Sequence, residues 1–172
     1  GCPNNCVKPA YHDFGIMGQS VPEYDSDLCN ACKKCSVIEH CLVGAVHQDD
    51  DGQLVLDHDK CTNCGKCIGQ CNFDSIEEAK HGYRVFIGGI WGKTQRNGTA
   101  VPGIYSEDEI EKLIEKAILL YREQGKTGER FGRTIDRIGV DNFIAQLLSD
   151  DVLDRKQEIL DAKLHLVGGA TC

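Results

Sequence analysis

A repeated cysteine unit constrains this chain more than any other feature. Cys29, Cys32, Cys35 and Cys41 form one run, and Cys61, Cys64, Cys67 and Cys71 form a second. The same lead-in precedes both. Tyr24-Asp25-Ser26-Asp27-Leu28-Cys29 and Leu56-Asp57-His58-Asp59-Lys60-Cys61 each read as a hydrophobic residue followed by D-x-D-x-C. Both runs also close alike, with Cys41-Leu42-Val43-Gly44-Ala45-Val46 matching Cys71-Asn72-Phe73-Asp74-Ser75-Ile76. The predicted unit is a short strand, a cysteine loop, a short helix and a strand. Neither copy is long enough to bury a core alone, so two copies must pack around whatever the thiols hold.

Eleven cysteines admit a disulfide framework or a metal site. The count is odd, and every cysteine except Cys172 has a neighbour with only two to five residues between them. Such steps suit ligation rather than long-range bridges. The second run, C-x-x-C-x-x-C-x-x-x-C, resembles the bacterial ferredoxin pattern, which implies two [4Fe-4S] clusters. In that pattern three thiolates wrap one cluster and the fourth reaches its neighbour. The resemblance assigns Cys29, Cys32, Cys35 and Cys71 to one cluster, and Cys61, Cys64, Cys67 and Cys41 to the other. Gly65 is expected to tighten the second loop so that N–H groups point at sulfur. Two departures stand out: five residues rather than three separate Cys35 from Cys41, and Leu42 and Asn72 stand where the pattern has proline. Lys33 and Lys34 lie between ligands of the first run. Two four-cysteine zinc sites are the rival reading; the triple C-x-x-C-x-x-C step favours a cubane, whose corners suit three adjacent ligands.

A net charge of −8 argues against a nucleic-acid ligand, which requires a basic surface. No apolar run is long enough to span a bilayer. Ligating thiols must stay reduced, which implies a cytoplasmic setting. The chain starts at Gly1 rather than Met, with Cys2 at its edge, so it reads as a portion of a longer protein lacking an N-terminal part.

Beyond the repeat, Asp49-Asp50-Asp51-Gly52 predicts a turn between two short strands. Phe14–Gly18 and Tyr83–Ile87 read as strands ending in glycine. Ser106 with Glu109 forms a capping box, followed by Ile110, Leu113, Ile114, Ala117, Ile118 and Tyr121 at helical spacing, with Gly125 as the stop. Two further amphipathic stretches run from about Arg130 to Ile138 and from near Asp141 through Leu148. Residues 151–166 read as a charged helical tail. Trp91 and Tyr105 read as packing residues. The predicted fold class is α+β: a ferredoxin-like two-cluster module over residues 24–79, inserted into a discontinuous α/β body formed by 1–23 and 80–172.

Gly1-Cys2-Pro3-Asn4-Asn5-Cys6, six residues, then Asp13-Phe14-Gly15-Ile16 resembles the signature of the nitrite and sulfite reductases. The resemblance resumes at Tyr83-Arg84-Val85-Phe86-Ile87-Gly88-Gly89, as though displaced by the cysteine module. It resembles most the dissimilatory and anaerobic sulfite reductases, whose catalytic subunits carry such a module at this place. The resemblance implies that Cys2 and Cys6 supply half the ligands of a third [4Fe-4S] cluster, with Cys6 bridging to sirohaem. A C-x5-C pair earlier in the whole protein would supply the rest. It further implies electron flow from a donor protein or subunit through the clusters, for six-electron reduction of sulfite or nitrite, with the anion-binding groups mainly in the absent half. Lys93 and Arg96, after the glycine pair, are candidate contacts to sirohaem carboxylates. The alternative from another class is a stand-alone two-cluster electron carrier that docks on a separate reductase.

Overall fold

The computed structural model describes residues 1–4 and 6–164. The chain forms two compact units, each assembled from separate stretches. One comprises Gly1–Cys6 with Gly18–Gly82; the other comprises Val7–Met17 with the residues from Tyr83 onward. The unit that holds the cysteine runs is thus wider than residues 24–79, and it includes the N-terminal pair. Two long strands, β1 (Phe14–Tyr24) and β4 (Ile76–Ile87), each begin in one unit and end in the other. The strand expected to stop at Gly18 therefore continues through Pro22, and β4 starts well before Tyr83. Polar residues such as Glu77, Glu78 and Lys80 hide its first half from a hydrophobicity pattern; that stretch is held by backbone pairing rather than burial.

In the cysteine unit, β2 (Val46–Gln48) pairs antiparallel with β3 (Leu54–Leu56), placing Val46 opposite Leu56. The intervening turn closes through Gly52 N–H to Asp49 O (3.1 Å) and Asp49 N–H to Gln53 O (2.9 Å), with Gly52 at φ 81°. A short helix, α1 (Ser36–His40), fills the longer gap between Cys35 and Cys41. The corresponding stretch between Cys67 and Cys71 is only a turn. Two extra residues are what allow a helical turn in the first copy; the second copy is too short for one. Val37, Val46, Leu54, Cys67 and Ile76 form the small core.

The other unit is mostly helical. Its sheet portion has β5 (Thr99–Ala100) against the end of β4, with Phe86 opposite Ala100. Helix α2 (Glu107–Gln124) starts at the full capping box: Ser106 N–H donates to Glu109 Oε2 (2.7 Å) and Glu109 N–H to Ser106 Oγ (3.4 Å). Then come α3 (Phe131–Ile138), α4 (Val140–Leu148), α5 (Asp151–Asp154) and α6 (Lys156–Asp161). The predicted stripe on α2 is only partly buried. Ile110, Leu113 and Ala117 are in the core, but Ile118 is 63% exposed and Leu119 and Leu120 are buried. Contacts with α3, α4, α5 and α6 widen the buried face beyond a single stripe.

Residues 151–166 do not form one helix. The break falls at Arg155, whose guanidinium binds Glu123 (2.6 Å) and Asp151 (3.0 Å). Arg122 caps the end of α6 by donating to Ile159 O and Leu160 O. The end of that predicted tail and Cys172 lie outside the described residues. Trp91, expected to pack inside, is 61% exposed and leans on the Tyr11 ring, centroids 4.7 Å apart. No described helix is long and apolar enough to cross a membrane.

Glu129 organises the turn into α3. Its carboxylate accepts from Arg137 (2.7 and 2.8 Å), Thr134 Oγ1 (2.9 Å) and Lys126 N–H (3.2 Å). Arg137 chiefly holds this carboxyl down to about 2 from 4.5, against the opposing effect of burial. Because the folded value is depressed, the stabilisation is complete above pH 4.5 and is lost as pH falls toward 2. Glu129→Gln should cost about 1–2 kcal/mol at neutral pH in urea unfolding. Its unfolding midpoint should also vary less than the wild type's across that acid window; equal slopes for both proteins would contradict the assignment.

Candidate metal centre

The two copies of the repeat are joined by crossed backbone pairings. Asp25 N–H, leading into the first run, donates to Ser75 O, which follows the second run (3.0 Å). Asp57 N–H, leading into the second run, donates to Ala45 O, which follows the first (2.7 Å). The strand leaving one run therefore lies beside the strand entering the other.

Local geometry repeats the sequence repeat. Asp25 Oδ1 accepts from Asp27 N–H (2.9 Å), and Asp57 Oδ1 from Asp59 N–H (3.0 Å). These are Asx turns, which explain the paired aspartates of D-x-D-x-C. Ala31 (φ 44°) and Asn63 (φ 52°), each just before the second cysteine of its run, both adopt the left-handed region. So do Gly44 (φ 64°) and Asp74 (φ 55°), three residues after the last cysteine. Gly44 N–H and Asp74 N–H each donate to the carbonyl of that cysteine at 3.3 Å. A non-glycine residue is uncommon in this region, and here three such residues cluster around thiols.

The donors that result point at sulfur. Ala45 N–H lies 3.2 Å from Cys41 Sγ, and Asn63 N–H 3.4 Å from Cys61 Sγ. The Ser75 hydroxyl donates to Cys71 Sγ at 3.0 Å. Cys67 is buried, and burial pushes its thiol up. Cys61, Cys64 and Cys41 raise it further through their charge. Burial also raises Cys71, but bonds from Ser75 and from the Phe73 and Ser75 backbone outweigh it and leave the thiol below its ordinary value; Cys29 acts on it electrostatically. Cys29 is likewise lowered despite burial, by the Tyr24 hydroxyl and the Ala31 and Leu54 backbone. Tyr24 is itself pushed up to about 12, by burial first and then by Cys29.

All ten described cysteines are thiols. Among the described residues, no three His, Cys, Asp or Glu side chains close tightly enough to hold a single metal ion. Soft thiolates supported by N–H and O–H donors, against an apolar wall of Val37, Val46 and Ile76, are the donor chemistry an iron–sulfur cluster uses.

Cys2 and Cys6 flank the Pro3–Asn4 turn and are exposed. Gly1 O accepts from Gly18 N–H at 2.8 Å, tying this end to β1. In the helical unit, the remainder of the N-terminal signature has structural work. Asp13 Oδ2 binds Arg130 (2.7 Å), ahead of α3. Gly15 is small because Pro9 O occupies the space a Cβ would fill. Gly88 N–H, Gly89 N–H and Gly98 N–H donate to Asp13 O, His12 O and Ala10 O. Lys93 is exposed. Arg96 has its donors committed to Gly88 O (2.8 Å), Asn97 O (3.2 Å) and Asp136 Oδ1 (2.9 Å). It braces the glycine turn and does not present a free guanidinium. Sequence reasoning missed Tyr24 and Ser75; the only available signal was that their counterparts in the repeat, Leu56 and Ala45, lack hydroxyls.

Comparison with known proteins adds independent findings. The family model described as "Nitrite and sulphite reductase 4Fe-4S domain" matches residues 1–156. A coenzyme F420-dependent sulfite reductase of Methanocaldococcus jannaschii is 33% identical over 150 residues, covering 86% of this chain and 23% of that protein. The alpha subunit of a dissimilatory-type sulfite reductase of Allochromatium vinosum is 28% identical, covering 84% of this chain and 39% of that subunit. The crystal structure of dissimilatory sulfite reductase I has a similar fold, with a TM-score of 0.58 at 22% identity, over 86% of this chain and 40% of that one. The chain thus spans less than half the length of these relatives. Pyruvate synthase subunit PorD of M. jannaschii is 29% identical over 78 residues, covering 45% of this chain and 85% of that protein.

Gly65 tests the loop geometry. It sits at φ 72°, and a Cβ there would lie 2.7 Å from Ser20 Cβ. Gly65→Ala should therefore disturb the Cys61–Cys67 loop and lower iron retention after anaerobic reconstitution. Unchanged iron and sulfide content would show that the loop tolerates another conformation.

Proposed function

The chain belongs to the nitrite and sulphite reductase 4Fe-4S domain family, and from this premise we propose that it is the electron-delivering portion of a sulfite (or nitrite) reductase. In this reading Cys29, Cys32, Cys35 and Cys71 hold one [4Fe-4S] cluster, and Cys61, Cys64, Cys67 and Cys41 hold a second. Those groups supply one-electron redox chemistry when bound. The observation that carries the reading is the crossed pairing of Asp25 with Ser75 and of Asp57 with Ala45. That pairing supports the crossed assignment, and the electrostatic influence of Cys41 on Cys67 and of Cys29 on Cys71 agrees with it.

The residues around the thiols have separable tasks. Asp25 and Asp57 fix the turns that aim each loop. Ala31, Asn63, Gly44 and Asp74 turn backbone N–H groups toward sulfur. Val37, Val46, Leu54 and Ile76 keep water from one side of the site. Cys2 and Cys6 are half the ligand set of a third cluster, to be completed by residues outside this chain. Lys93 remains a candidate for a sirohaem carboxylate, whereas the bonding of Arg96 supports a bracing role. Residues 24–79 are the two-cluster module, and the flanks belong to the sirohaem-associated body. Six-electron reduction of the anion, and the donor protein or subunit that feeds it, belong to the whole reductase.

The similarity to the pyruvate synthase subunit over most of that protein's length favours a second reading, a stand-alone carrier docking on a separate reductase. Sirohaem absorption bands and sulfite-dependent oxidation of methyl viologen by the whole protein separate the two; cluster absorption alone would support the carrier.

The ligand sets can be tested directly. With crossed ligation, Cys41→Ala/Cys67→Ala removes two ligands from one cluster, and about four of about eight iron atoms should remain after anaerobic reconstitution. Cys35→Ala/Cys41→Ala should damage both clusters. The reverse pattern of iron content would mean that each run serves its own cluster.

A further inference from the structure

The repeat is close to symmetric in backbone, which makes its chemical asymmetries legible. At the position before each D-x-D-x-C, one copy has Tyr24 and the other Leu56. At the fourth position after each last cysteine, one copy has Ser75 and the other Ala45. Ser75, 1% exposed, donates its hydroxyl to Cys71 Sγ at 3.0 Å. The Tyr24 hydroxyl donates to Gln53 Oε1 at 3.1 Å. Leu56 and Ala45 carry no hydroxyl; the donors at Cys41 and Cys61 are the backbone N–H groups of Ala45 (3.2 Å) and Asn63 (3.4 Å).

We propose that Ser75 makes the two clusters electrochemically unequal, so that an electron shared between them rests on the Cys29–Cys32–Cys35–Cys71 side. This inference rests on the ligand sets proposed above. Reduction adds negative charge that spreads onto the cysteine sulfurs. A hydrogen-bond donor at sulfur stabilises the reduced form more than the oxidised one and raises the potential. The exchange moves one electron between the two sets; no bond forms or breaks, and no proton is transferred.

Surface charge does not provide the same distinction. Lys33 and Lys34 flank the first loop, and Lys60 and Lys66 flank the second. All four are exposed, and Lys34 and Lys60 are already paired with Glu39 and Asp57. The Asp74 carboxylate, beside Cys71, opposes the effect but is exposed and screened by solvent. The hydroxyl of Ser75 is buried and is not.

Protein-film voltammetry on the anaerobically reconstituted chain tests the proposal, with iron counted for every sample. Wild type should give two separable one-electron steps. Ser75→Ala should lower the equilibrium constant of the higher step by about tenfold, equivalent to about 59 mV, and leave the lower step in place. Ala45→Ser should raise the lower step instead. If Ser75→Ala sheds iron, Ala45→Ser makes the reciprocal comparison without it. Full iron with neither step moving, or with both moving together, overturns the tuning and leaves the ligand sets standing. A wild-type chain that takes up no iron overturns both.

Discussion

The cysteine unit depends on two backbone hydrogen bonds, Asp25 N–H to Ser75 O and Asp57 N–H to Ala45 O. Each joins the start of one repeat to the end of the other. Without them the two copies would be separate loops, each with three neighbouring thiols and a fourth stranded at its far end. With them, the strand that follows each run lies beside the strand that enters the other. The β2–β3 pairing and the small core of Val37, Val46, Leu54 and Ile76 fix the same crossing from the side-chain direction.

This arrangement is costly for the polypeptide alone. Ala31, Asn63 and Asp74 occupy left-handed backbone, each at a cost on the order of 1 kcal/mol. Cys67 is buried beside other thiols, which opposes its ionisation. The core that offsets these terms is small. A bound cluster changes the balance, because ligation requires the thiolates and supplies folding free energy where the core is insufficient. The donors on Cys41, Cys61 and Cys71 are then partners for sulfur charge rather than incidental contacts. Strain and donors occur at matching positions of the two copies, as they should if both answer the same ligand chemistry.

The sequence made the repeat, the hairpin at Asp49–Gly52 and the capped helix from Ser106 legible, because each is encoded locally. Asx turns need aspartate at fixed offsets, and a capping box needs Ser106 and Glu109 three apart. The parts that were not legible depend on tertiary context. The first half of β4 is polar and exposed, so no alternation marks it. The buried face of α2 shifts from Ile118 to Leu119 and Leu120 because several helices pack against it. Arg96 looked available on sequence because nothing local reveals that Gly88 O and Asp136 claim it. The cysteine spacing identified which residues matter, but not how Ser75 and Tyr24 serve them, since neither belongs to a cysteine motif.

The departures from a regular ferredoxin pattern acquire a physical meaning in the fold. Two additional residues after Cys35 give α1, and with it Val37, the most deeply buried member of the cysteine unit's core. The second copy has no counterpart helix and relies on Cys67 itself as a core residue. One copy therefore stabilises its loop with a helix, and the Ser75 hydroxyl of the other copy serves the thiol of Cys71. That other copy also packs a thiol inward, beside three further thiols. Where a repeat holds two sites, a few such replacements are enough to make them unlike. A relay needs that inequality more than it needs a second site, because two sites of equal potential impose no direction on the electron they share.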